Sequence, residues 1–214
     1  MQAARDEARK QGVSDKVTFE TRDLFGTDLG RASVITAYLL PSLNLRLRPQ
    51  LFEQLKPGSR ILTHDFDFGD WQPDRKITVD VPDKPYGAPR SDIMLWVLPA
   101  DFSGVWQWTA PGPAGGDVRY EARIEQRFQL PTLLLISEGL RLAVSEARVR
   151  GNTLSFAVNG PAGLQRFSAE LKGNTLSGQV LRGDGPGVNW MATRIKAGKM
   201  DIGTGGITPV AVGN

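Results

Sequence analysis

The stretch that decides the first part of the fold runs from Ala32 to Phe66. Ala32-Ser33-Val34-Ile35-Thr36-Ala37-Tyr38-Leu39-Leu40 is a continuous apolar run that stops at Pro41. Such a run suits a central parallel strand covered on both faces. Leu43 to Leu55 follows, with Leu47, Leu51 and Leu55 spaced by four, one stripe of a helix. Lys56-Pro57-Gly58 ends that helix, and Arg60-Ile61-Leu62-Thr63-His64-Asp65-Phe66 reads as the next strand. Strand, helix, strand with short loops is the pattern of a parallel sheet.

Working outward, residues 1–12 read as the end of a helix, closed by Gly12. Val17-Thr18-Phe19-Glu20-Thr21 alternates and predicts a strand, and Asp23-Leu24-Phe25-Gly26 turns. Lys76–Val81 and Ile93–Leu98 flank a loop with three prolines and predict a closing antiparallel pair. Six glycines lie before residue 103 and eighteen after it. From Gly104 onward, eight short alternating runs predict an antiparallel β meander, closed as a barrel or curled as a sandwich. Val149-Arg150-Gly151-Asn152-Thr153-Leu154-Ser155 is echoed by Leu171-Lys172-Gly173-Asn174-Thr175-Leu176-Ser177, each Gly-Asn lying between two alternating runs. The expected division is 1–99, 100–196 as the β unit, and 197–214 as a flexible tail.

Composition excludes several chemistries. With no cysteine there is no disulfide, thiolate nucleophile or Cys-ligated metal, and His64, the single histidine, cannot make a multi-histidine metal site. A net charge of +3 over 214 residues is a weak field, with no interleaved aromatic platform, so nucleic acid is not the expected partner. No run approaches the ~18 apolar residues of a membrane span, and the first residues lack the apolar core of a secretory signal. A cytoplasmic location is the expectation.

The ordered series Lys16–Phe25, Ala32–Pro41, the Leu47–Gly58 helix and His64-Asp65-Phe66-Asp67-Phe68-Gly69-Asp70-Trp71-Gln72-Pro73-Asp74 resembles class I S-adenosylmethionine-dependent methyltransferases. The nearest group is the protein-lysine methyltransferases of the ATP synthase c-subunit type and their bacterial relatives. The resemblance covers residues 1 to about 98 and matches the latter half of that fold. It implies a partial Rossmann-like sheet, S-adenosylmethionine as cofactor and a protein lysine as methyl acceptor. Asp23, Leu24 and Phe25 match the acid and apolar residues that meet the adenine, and Ala37 lies beside them in the cofactor set. Tyr38, at the motif near the target amine, is the candidate to position a lysine by its hydroxyl or ring face, and Asn44 to hydrogen-bond the substrate. A turn aspartate, a core aromatic and a helix cap explain Asp23, Tyr38 and Asn44 as well.

His64 ends a strand, but methyl transfer to an amine needs mainly in-line positioning, so it reads as a structural polar residue. Asp65, Asp67, Asp70 and Asp74 do not match a calcium loop and read as a solvated acidic loop or as one facing a basic protein substrate. No metal is expected. No Gly-x-Gly-x-Gly occurs before residue 100, and Gly203-Thr204-Gly205-Gly206 follows no predicted strand. The expectation is therefore a methyltransferase fragment, inactive alone, with an open sheet edge that invites self-association. Gly104-x-Trp106 with Arg194 near the end resembles lipocalin-like barrels. The alternative function is a non-enzymatic protein whose barrel binds a small apolar ligand or a partner.

Overall fold

The computed structural model describes residues 1–111, 116–160, 163–183 and 185–203. Helix α1 (Gln2–Lys10) leads through an extended segment to a single 3-10 turn at Leu24–Gly26. The sheet that follows contains β1 (Val34–Ala37), β2 (Arg60–His64), β3 (Arg75–Asp80) and β4 (Arg90–Val97), with helix α2 (Pro41–Gln54) crossing from β1 to β2. Its order is β1-β2-β4-β3. β1 and β2 are parallel, Val34 facing Arg60, whereas β4 runs antiparallel to both β2 and β3.

The leucine stripe forms this helix and buries it. Leu47, Leu51 and Leu55 are almost fully buried, packed with Ile61, Met94 and Trp96 of the sheet. Each such side chain contributes about 1.5–3 kcal/mol by leaving water. Pro41 at the first turn presets the entry, because its missing N–H would have no partner there anyway.

Two expectations change. Val17–Thr21 forms no strand, since no neighbouring strand among the described residues supplies partners for its backbone groups. β1 is not a central strand but an edge of the sheet, with Val34 40% exposed. An apolar run reports the wish to be covered, not whether the cover is present.

The second unit is a closed antiparallel barrel of eight strands. These are β5 (Gly104–Pro111), β6 (Asp117–Arg127), β7 (Leu130–Ser137), β8 (Leu140–Arg150), β9 (Thr153–Gly160), β10 (Gly163–Lys172), β11 (Thr175–Arg182) and β12 (Val188–Ala197). The echoed turns are equivalent. Gly151 and Gly173 both take φ near +60°, and the carbonyls of Asn152 and Asn174 each accept from the next strand, at Leu171 and Arg194. At the base, the Arg194 guanidinium lies 4.5 Å over the Trp106 ring and donates to the Asp101 carbonyl. Trp108, Phe156, Phe167 and Trp190 meet across the interior, ring centroids 4.8–6.4 Å apart. Filled in this way, the middle of the barrel gives the apolar-ligand alternative no support.

The turn between β6 and β7 falls at Phe128-Gln129. Phe128 adopts φ +51°, uncommon for a residue with a side chain. Its ring leaves the barrel and stacks on Trp71, 5.8 Å away, within the core of the other unit. Gln129 fastens the same seam, accepting from Trp71 Nε1 and donating to the Gln72 carbonyl. Residues 198–203 are held there too, with Asp201 bonded through its backbone to Gln126 and Phe128. The rest of the segment expected to be a tail, 204–214, lies outside the described residues, as does most of Gly203–Gly206.

Candidate functional site

Open α/β sheets place ligands at the carboxyl ends of their parallel strands. Here β1 and β2 are the parallel pair, so the relevant edge is Ala37-Tyr38 beside His64-Asp65-Phe66. Tyr38 stands 49% exposed, its ring 4.6 Å from the His64 ring and 6.1 Å from Phe66. Ala37 is half-buried at the end of β1. Together they form an open aromatic wall.

The loop after β3 completes it. Lys84 Nζ reaches Asp65 Oδ2 at 2.6 Å and the Arg90 carbonyl at 2.9 Å. Asp65, held at φ +63°, also accepts the Asp92 amide through Oδ1. The hydrogen bond from Lys84 is the main reason its carboxyl titrates below the usual range. Anchored by this pair, the loop brings the Tyr86 hydroxyl into a hydrogen bond with that of Tyr38. That bond, with lesser help from desolvation, pushes the Tyr38 pKa up to about 12. The Tyr38 phenol is therefore neutral across the physiological range and offers a ring face and a hydroxyl, not a base. His64 Nε2 lies 3.7 Å from Asp65 Oδ2.

Neither Lys84 nor Tyr86 is legible as a site residue in the sequence. Both sit in a proline-rich loop whose course depends on the contact with Asp65.

Asn44 is fully buried on α2, its amide donating to the Phe66 and Asp67 carbonyls at 3.2 and 3.1 Å. It grips the loop that carries Phe66 and stands apart from solvent. Asp23 is exposed and caps the 3-10 turn, accepting from the Phe25 amide at 3.1 Å. Leu24 and Phe25 are half-buried against the α2 core, and the Arg46 guanidinium covers the Phe25 ring at 3.8 Å.

Each of the four aspartates after β2 has a partner, although Asp67 and Asp70 stay exposed to solvent. Asp65 holds Lys84, Asp67 accepts the Gly69 amide, Asp70 bridges Arg48 and Arg127, and Asp74 accepts the Val97 amide while its side chain is 6% exposed. Among the described residues, no three of His, Asp and Glu converge on a point that would hold a metal ion. No helix among them is long and apolar enough to cross a membrane.

Residues 1–75 match a family model described as the ANTKMT methyltransferase domain. This segment is thus similar to a methyltransferase domain. A protein-lysine N-methyltransferase of Saccharolobus islandicus (strain REY15A) is 35% identical over 71 residues, which is 33% of this chain and 44% of that protein. The chain thus spans less than half the length of that curated relative. An RNA methyltransferase from Salinibacter ruber, solved in complex with S-adenosyl-L-homocysteine, is 44% identical over 47% of this chain and 60% of its own, with a TM-score of 0.40.

Proposed function

We propose that residues 1–99 carry the acceptor side of a Rossmann-like, S-adenosylmethionine-dependent methyltransferase acting on a protein lysine. Residues 100–196 form an appended β domain in this reading. The observation that carries it is the parallel β1–β2 pair, whose carboxyl ends gather Tyr38, His64 and Phe66 into an open aromatic wall. The resemblance of residues 1–75 to methyltransferases and the lysine specificity in the relative's name supply the reaction class.

S-adenosylmethionine, when bound, supplies an electrophilic methyl group. The chain's own residues would orient the amine. Tyr38 presents its ring face, which favours a cationic or partly cationic nitrogen. Tyr86 fixes the Tyr38 hydroxyl, Lys84 and Asp65 fix Tyr86, and Asn44 holds the Phe66 backbone. Orientation of this kind is the main demand of an in-line transfer.

The fit to the cofactor is one-sided. Asp23 leaves its Oδ2 free for an exocyclic amine, and Ala37 is small enough for close approach. However, the Phe25 ring is already covered by Arg46, and no Gly-x-Gly-x-Gly occurs before residue 100. These residues do not by themselves enclose S-adenosylmethionine, and low activity of this chain alone follows.

Calorimetry and NMR test the reading together. Titration with S-adenosylmethionine should show no tight binding; a micromolar constant abolished by Asp23→Ala would overturn the one-sided fit. Titration with N-acetyl-lysine amide should shift the ring signals of Tyr38, Phe66 and Tyr86. Absence of those shifts, or equal shifts in a Tyr38→Ala variant, removes the acceptor assignment. The unpaired outer edge of β1 supports self-association through the sheet, to be read as a concentration-dependent mass in sedimentation.

A further inference from the structure

We propose that the cleft between the sheet and the barrel is a docking site for an extended acidic segment of a partner protein. The cleft encloses about 730 Å³ and is lined by Arg75 of β3, by Arg148 and Arg150 of β8, and by the hydroxyls of Thr153, Ser155 and Ser168. The hydroxyls are placed beside the cations by strand register. Arg148 pairs with Ser155, Arg150 with Thr153, and Ser155 with Ser168. Guanidinium groups next to hydroxyl donors are the usual means of holding carboxylates.

The charge is not cancelled locally. The one carboxylate in the lining, Asp74, is buried; its Oδ2 accepts the Val97 amide and its Oδ1 lies 3.7 Å from Arg148 Nη2. Arg75 and Arg150 have no carboxylate partner among the described residues. An acidic ligand would therefore gain two cations without displacing an existing pair.

Four features select a peptide over a nucleic acid. Arg75 begins β3, an edge strand whose outer backbone groups join no ladder among the described residues, a template for an added extended chain. Beyond Arg75 on the same face of β3 come Ile77 and Val79, 45% and 39% exposed, which suit alternate apolar side chains of such a chain. The lining has no aromatic ring on which a base would stack, and three cations would release few counterions from a phosphate backbone.

The test uses the full chain, without S-adenosylmethionine, so that its outcome is separate from that of methyl transfer. Fluorescence anisotropy is followed with a labelled octapeptide alternating glutamate and valine, and with a single-stranded RNA octamer. Saturable binding of the peptide is expected, weakened about fivefold by Arg75→Glu and by Arg150→Glu, the scale of one exposed charge pair. Arg141→Glu, elsewhere on β8, should leave it unchanged, and a thermal melt of each variant checks that it folds. The proposal fails if the peptide does not saturate by about 1 mM, or if Arg141→Glu weakens it equally. It also fails if the RNA binds more tightly and is lost with the same substitutions.

Discussion

Removing Asp70 should cost more stability than removing Arg48, although Arg48 is the more deeply buried of the two. Arg48 is 0% exposed on α2; its Nη1 donates to Asp70 Oδ1 and, at 2.9 Å, to the Phe68 carbonyl. Its Nε and Nη2 have no partner among the described residues. Asp70 is 41% exposed and keeps a second partner, Arg127 of the barrel, at 2.6 Å. Asp70→Ala thus strands a buried guanidinium, whereas Arg48→Met leaves an aspartate that is still paired and partly hydrated. Breaking a fully buried pair by deleting one partner costs about 3–5 kcal/mol. With the exposure of Asp70 taken into account, about 2–3 kcal/mol is expected for Asp70→Ala, a fall in Tm of roughly 4–12 °C for a chain of this size. Arg48→Met should cost less than half of that, and the double variant should resemble Arg48→Met alone. Urea unfolding followed by tryptophan fluorescence, which reports Trp71 beside the pair, and by circular dichroism would measure the cycle. If Arg48→Met destabilises as much as Asp70→Ala, or if the two costs add, the stranded-charge argument is wrong.

Further consequences can be checked in the same samples. Burial would raise the Asp70 pKa, but the hydrogen bonds from Arg48 and Arg127 outweigh it and leave it below 3.8. The stabilisation is therefore complete above about pH 4 and lost as pH falls through the folded value, so Asp70→Asn should flatten the acid limb of the stability profile. Tyr38, raised to about 12 mainly by Tyr86, contributes stability that is complete below pH 10 and lost as pH climbs toward the folded value. The phenolate absorbance near 295 nm should therefore show one late tyrosine, which Tyr86→Phe moves earlier. Gly178→Ala should prevent barrel closure, because a Cβ there would stand 1.9 Å from the Ser168 carbonyl oxygen. Gly173→Ala faces open space and only has to hold φ +60°, so a loss of about 1 kcal/mol is expected by thermal melting.

Much of this architecture is written in local sequence. The leucine spacing of α2, the Gly-Asn turns and the alternation of eight runs each depend on near neighbours, and each appears as expected. The Trp106–Arg194 stack at the barrel base was also legible, as a tryptophan near the start of the unit and an arginine near its end. The candidate site was legible in part. Tyr38 and His64 could be placed at strand ends because the strand-helix-strand pattern implies parallel pairing, and parallel strands bring their carboxyl ends together.

What local sequence could not supply is anything set by a partner far along the chain. Val17–Thr21 has the composition of a strand but lacks a neighbour, and Ala32–Leu40 has the composition of a covered strand but lies at an edge. The four aspartates look alike in sequence and differ only through Lys84, Gly69, Arg48 and Val97, which the tertiary fold brings to them. Phe128 directly follows a barrel strand in the sequence, yet its ring belongs to the core of the other unit. By itself the sequence determined the strand-helix-strand unit, the antiparallel meander and the absence of thiol chemistry, because periodicity and composition are local properties. The tertiary structure alone decided the seam between the units, the Tyr38–Tyr86 wall and the arginine cleft, because each is made by side chains that only folding brings within reach.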